Sequence, residues 1–159
     1  MTMLVNLLVR DHLPQFLDHY SALTPDDRHN RFFHSMGPSA IRDWVLSTTE
    51  RPYSHYFFIK ENEEGEFEGL VTLGIHPESN EGNAAVSVLP HRRGQGLAQS
   101  LLGEAIEAAK GMKLKRLVFE CLMNNHDCQR LYTKMGFTCK YNTEQQCLVG
   151  HLDLESDGG

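Results

Sequence analysis

Apolar residues between about 13 and 50 fall at helical intervals, whereas those between 53 and 89 come in short runs broken by polar turns. Residues 2–9 form an apolar run with Asn6 in its middle, which predicts a buried strand. Leu13, Phe16, Leu17 and Tyr20 then recur at i, i+3, i+4 and i+7, one face of a short helix. Thr24-Pro25-Asp26-Asp27 predicts a second helix start, with Thr24 as N-cap, Pro25 at the first helical position and an acid three residues after the cap. A third helix, capped by Ser39, turns Ile41, Trp44 and Val45 inward.

Beyond Pro52 the period changes. Residues 53–60 are aromatic and β-branched, a strand, and the polar segment 61–66 with Gly65 reads as a hairpin loop. Residues 67–75 and 83–89 are two more strands, so the middle of the chain is an antiparallel meander. A glycine-rich turn at 93–96 leads into a helix whose stripe is Leu97, Leu101, Leu102, Ala105, Ile106 and Ala109, ended by Gly111 in the left-handed conformation. A strand at 114–122 follows, then a helix over about 126–135 with Cys128, Leu131 and Met135 on its stripe and Gly136 as its stop. Strands at 137–141 and 146–154 complete the chain.

The strand–helix–strand unit from 83 to 122 demands a parallel pair inside an otherwise antiparallel sheet. The fold class is therefore α+β, a mixed, mostly antiparallel layer with helices. With 159 residues and no repeat or linker, one domain spans 1–155, and 156–159 are a mobile tail.

Composition narrows the function. The formal charge of −6 disfavours a nucleic-acid partner, which needs a cationic surface. No apolar run approaches the ~18 residues of a membrane span, and the start lacks a basic region and cleavage site, so no membrane role and a cytoplasmic location are expected. The spacings of Cys121, Cys128, Cys139 and Cys147 match no zinc or redox motif, which points to reduced thiols. The nine histidines include no His-Glu-x-x-His or paired helical spacing, so no metal is expected.

Arg92-Arg93-Gly94-Gln95-Gly96-Leu97-Ala98 lies where an apolar strand meets a long helix. The first turn of a helix leaves unpaired N–H groups and a partial positive charge. Glycines there remove the Cβ atoms that would hold an anion away, and the arginines add charge. The chemistry suits a phosphate or diphosphate, or else this is a tight surface turn with solvated arginines. It is neither a Walker loop nor a Gly-x-Gly-x-x-Gly fingerprint, since no Gly-Lys-Ser/Thr follows and position 99 is Gln.

This segment resembles the acyl-CoA motif of the GNAT N-acetyltransferases, Gln/Arg-x-x-Gly-x-Gly/Ala, with Arg93, Gly96 and Ala98 at its positions. Val86-Ser87-Val88-Leu89-Pro90 before it is similar to the family's strand. Asn125-x-x-Cys128-x-x-Leu131-Tyr132-x-Lys134-x-Gly136-Phe137 resembles the family's Asn-x-x-Ala-x-x-Leu-Tyr-x-Lys-x-Gly-Phe, with Cys128 in place of the small Ala. Leu23-Thr24-Pro25-Asp26-Asp27-Arg28-x-x-Arg31-Phe32-Phe33 is similar to a stretch in the branch that includes bacterial protein-lysine acetyltransferases; as a plain helix it would present Phe32 and Phe33 to the core.

The resemblance implies helices on both sheet faces and a splayed parallel strand pair that admits acetyl-CoA. It implies that Val86, Ser87 and Val88 pair with the pantetheine arm, and that an amide near Val88 polarises the thioester carbonyl. The amides of Arg93, Gly94, Gln95, Gly96, Leu97 and Ala98 would hold the pyrophosphate. Asn125 would contact the cofactor, or simply cap its helix. Tyr132 would be the general acid for the CoA thiolate, or an aromatic residue beside the stripe. Glu120 is the first candidate for the general base and Glu81 the second; Asn83 stands where many lysine acetyltransferases of the family carry a Glu. The implied activity is N-acetyl transfer from acetyl-CoA to a small-molecule amine or a protein lysine in a ternary complex, with a homodimer left open. A non-catalytic acyl-CoA sensor or interaction domain is the alternative.

Overall fold

Seven strands form one sheet: β1 (Thr2–Val5), β2 (His55–Glu61), β3 (Phe67–His76), β4 (Glu81–Val88), β5 (Arg116–Leu122), β6 (Thr138–Asn142) and β7 (Cys147–Asp153). Their spatial order is β1-β2-β3-β4-β5-β7-β6, and every pair is antiparallel except β4 with β5. This computed structural model describes residues 2–33 and 36–154; the tail expected at 156–159 lies outside the described residues.

Among the described residues five α-helices cover the sheet: α1 (Leu13–Ser21), α2 (Pro25–Phe32), α3 (Pro38–Ser47), α4 (Leu97–Gly111) and α5 (His126–Lys134). The two faces have separate cores. On one, Leu101, Leu102, Ala105 and Ile106 of α4 and Tyr132 of α5 pack on Val71, Leu73, Leu117 and Phe119. On the other, Phe16 and Tyr20 of α1, Phe32 of α2 and Ile41 and Val45 of α3 pack on Phe57, Ile59, Phe67 and Leu70. Alternation of side chains along each strand assigns the two sets.

Several local expectations needed correction. β1 stops at Val5, and Asn6 opens a 3-10 helix (Asn6–His12). The fully buried Asn6 amide donates to Thr48 O (2.8 Å) and to Arg51 O, while its Oδ1 accepts from Tyr53 N (2.8 Å). A polar residue in an apolar run marked a tie to the α3–β2 loop, because buried amides require partners. Thr24 caps α2 as expected, accepting from Asp27 N at 3.1 Å. Gly37, not Ser39, caps α3, with Pro38 beginning the helix. Phe33 does not enter the core: it ends α2 with φ +68° and is 37 % exposed. Gly111 stays inside α4, and Lys113 (φ +61°) makes the left-handed turn instead. On α5 the buried residue is Tyr132, while Cys128, Leu131 and Met135 are partly buried around it.

Candidate active site

β4 and β5 pair only through Glu81–Arg116, Gly82–Leu117 and Asn83–Val118 and then separate. α4 must leave β4 and return to β5 on one face, and the splay is filled from α5 by Tyr132.

The backbone polarity of β4 follows from one bond. Leu89 N donates to Glu68 O at 2.9 Å, so the odd residues of β4 face β3. Ala84, Val86 and Val88 therefore present their amides and carbonyls to the open edge. Three of those groups are used: the Ala84 amide is taken up by the parallel pairing with β5 at Asn83–Val118, the Tyr132 hydroxyl donates to Ala84 O at 3.0 Å, and Arg93 Nε and Nη2 donate to Val88 O at 3.2 and 3.0 Å. The Val86 amide and carbonyl and the Val88 amide remain. An extended amide-bearing chain can add there as a strand does.

Ser87 is not part of this set. Its backbone faces β3 and its hydroxyl lies 2.8 Å from His19 Nε2. His19 Nδ1 is 2.6 Å from the Phe67 carbonyl, which can only accept, so Nδ1 carries the proton and Nε2 accepts from Ser87. Burial drives the His19 pKa down to about 4, against the Phe67 hydrogen bond. Local sequence could not reveal this bond, since it joins residues 68 positions apart.

The open edge runs into the glycine turn. Gly94 and Gly96 have φ of +76° and +77°, and a Cβ built on either meets nothing within 4 Å. The amides of Gly94, Gln95, Gly96, Leu97 and Ala98 find no backbone carbonyl among the described residues. Here is a row of donors at a helix start with open space beside both glycines, a set of groups suited to an anion. The cationic side chains do not line it as free charges. Arg92 and His91 bind Glu68 (2.6 and 3.2 Å), and Arg93 binds Asp27 at 3.0 Å as well as Val88 O. Burial pushes the Asp27 carboxyl up, but hydrogen bonds from Arg93 and Thr24 outweigh it and hold the group below its usual value. Arg93 thus ties the turn to α2 and to the end of β4.

Tyr132 is almost wholly buried. Its ring stacks on Phe119 (centroids 3.7 Å, 14°) and meets Phe137 edge-on at 5.0 Å. Burial, followed by the neighbouring Cys128 sulfur, pushes its hydroxyl well above the usual phenol value, with Arg31 opposing. Asn125 caps α5, its Oδ1 accepting from Cys128 N at 3.2 Å. Glu120 is exposed on the opposite face of β5 from Phe119 and Tyr132 and forms no ion pair among the described residues. Glu81 sits at the closed end of the pair, 3.8 Å from Arg116. The structure thus brings together Val86, Val88, the turn 93–98 and Tyr132 around the splay, with Asn125 at the start of α5.

A sequence model described as "Acetyltransferase (GNAT) family" matches residues 4–137. The chain belongs to the GNAT acetyltransferase family. It is 32 % identical over 87 residues to a putative [ribosomal protein bS18]-alanine N-acetyltransferase of Bacillus subtilis (strain 168), a match covering 55 % of this chain and 56 % of that relative. Among solved structures it resembles the GNAT domain of S. lividans PAT (TM-score 0.81, 21 % identity, 96 % of this chain, 89 % of that one). It also resembles spermidine N-acetyltransferase from Vibrio cholerae in complex with CoA and spermine (TM-score 0.74, 15 % identity, 96 % and 95 %). These likenesses bear out the mixed sheet with one splayed parallel pair. Family membership likewise supports the enzyme class expected from the sequence, an acyl-CoA-dependent N-acetyltransferase.

Proposed function

We propose that the chain transfers an acetyl group from acetyl-CoA to a primary amine in one ternary complex. The carrying observation is the β4 edge: free backbone groups at Val86 and Val88 run directly into five amides of the glycine turn that have no backbone acceptor among the described residues, with one phenol at the same edge. The residues fit the cosubstrate. Val86 pairs with its amide-bearing arm, the turn amides hold its diphosphate, and Asn125, whose Oδ1 caps α5, contacts it through its remaining amide group.

Acetyl-CoA supplies a thioester carbonyl and a thiol leaving group. The Val88 amide polarises the carbonyl as negative charge develops on its oxygen. The amine nitrogen bonds to the carbonyl carbon, the C–S bond breaks, and the Tyr132 hydroxyl hands its proton to the departing sulfur; the second proton, shed by the nitrogen as the neutral amide forms, leaves to water, from which Tyr132 is reprotonated. Burial keeps Tyr132 protonated across the neutral range. Transfer to an unperturbed thiol near ~8.5 is uphill, so it accompanies C–S cleavage in surroundings that raise the basicity of the sulfur too.

Glu120 stands on the other face of the sheet, the side from which an amine can approach the splay. There it removes a proton from the ammonium, directly or through water. The test is release of free thiol from acetyl-CoA against a panel of amines and lysine peptides. Turnover on at least one acceptor is expected; tight acetyl-CoA binding with no turnover on any would make the chain a sensor instead.

A further inference from the structure

Arg31, on the last turn of α2, is a cation held by rings. Its guanidinium carbon lies 4.6 Å from the Phe32 ring centre, 4.9 Å from Trp44 and 6.0 Å from Tyr20. The rings brace one another edge to face, with centroids 5.2–5.8 Å apart. No carboxylate pairs with Arg31 among the described residues, whereas Arg92, Arg93, Arg116 and Arg130 each have at least one. Among the described residues its buried Nε has no hydrogen-bond partner. Among the described residues its guanidinium makes a long hydrogen bond, Nη2 to Thr72 Oγ1 at 3.4 Å. A half-buried guanidinium with unfilled donors is costly unless something anionic completes it.

Its position says what that anion belongs to. Thr72 pairs with Ala85, the neighbour of Ala84, whose carbonyl holds Tyr132. Arg31 is therefore one strand from the splay, on the face Glu120 shares. We propose that Arg31 binds a carboxylate of the acceptor, so that the preferred acceptor is a small amino-carboxylate. With strands about 4.8 Å apart, amine and carboxylate are separated by roughly 5–10 Å, the length of a four- or five-carbon ω-amino acid. A diamine of the same length places an ammonium against the guanidinium instead. This specificity rests on the acetyl-transfer reading above.

The test compares 4-aminobutyrate and 5-aminovalerate with propylamine, butylamine, putrescine and a lysine peptide as acceptors. A charge-assisted pair predicts that the amino-carboxylates lead in kcat/KM by at least about tenfold over the matched alkylamines. In Arg31→Gln that ratio collapses toward one, mainly through KM, and Arg31→Lys restores part of it. Alkylamines, putrescine or the peptide performing as well as the amino-carboxylates in the wild type overturns the assignment of Arg31 while leaving acetyl transfer standing. If no amine turns over, acetyl transfer fails, and Arg31 is judged by calorimetry with CoA-loaded protein. Tighter binding of 5-acetamidovalerate than of N-butylacetamide, lost in Arg31→Gln, then supports the carboxylate site; equal binding or none refutes it.

Discussion

Tyr132→Phe removes one oxygen from the centre of the proposed machinery. The ring keeps its stack on Phe119 and its edge contact with Phe137. What is lost is the 3.0 Å bond to Ala84 O, and that carbonyl is left facing the splay without a donor. Leaving a buried acceptor unsatisfied costs about 1–3 kcal/mol, less where water can enter, as it can at a splayed edge. About 1–2 kcal/mol is therefore expected, lowering Tm by roughly 2–8 °C for a chain of this size. If Tyr132 is also the acid, kcat falls by about 10²–10⁴-fold on top of that loss, with acetyl-CoA affinity nearly unchanged. The assay joins calorimetric affinity, thermal unfolding and steady-state turnover on one preparation, at a temperature where the variant is fully folded. A lowered Tm with a kcat reduced less than about threefold, chemistry being rate-limiting, would refute the acid and leave Tyr132 as the anchor of Ala84.

Gly96→Asn keeps access to the left-handed backbone but adds a Cβ where no protein atom stands; isothermal calorimetry is expected to show at least about tenfold weaker acetyl-CoA binding with unchanged circular dichroism, whereas Gly96→Val also strains the turn. Gly150→Ala would set its Cβ onto the Phe119 ring that stacks on Tyr132; overpacking of this kind costs about 1–3 kcal/mol, read as a lower urea midpoint, and turnover falls with it because Tyr132 is displaced. His19 is folded-state neutral down to about pH 4 while an unfolded histidine titrates near 6.5, so the unfolded chain binds the extra proton. Stability is then fully present above 6.5 and falls toward pH 4 by about 3 kcal/mol from this group, and His19→Gln flattens that part of the pH profile in urea titrations. Glu120→Gln is expected to lower kcat/KM most at acidic pH, with the rate recovering as the amine deprotonates by itself; an unchanged pH profile would remove Glu120 as the base.

Local grammar in the chain determined much of this protein. The capped start of α2, the long stripe of α4, the stop at Gly136 and the parallel β4–β5 pair all followed from residue spacing, because each depends on contacts within a few residues or on the rule for a strand–helix–strand crossover. The glycine turn was legible for the same reason: positive φ at 94 and 96 is a property of the local backbone. Tertiary structure decided the rest. Which residues of β4 face the open edge is set by its register with β3, so only the fold separates Val86 and Val88 from Ser87, whose hydroxyl belongs to His19. Tyr132 was visible as a residue, but its bond to Ala84 spans 48 positions, and the arginines of the turn proved to be held by Asp27 and Glu68 from other elements. Asn6 stood out in the sequence only as a polar residue in an apolar run, and neither it nor Arg31 disclosed its partners, since a buried amide and a cation among rings acquire their meaning only from what packing brings to them.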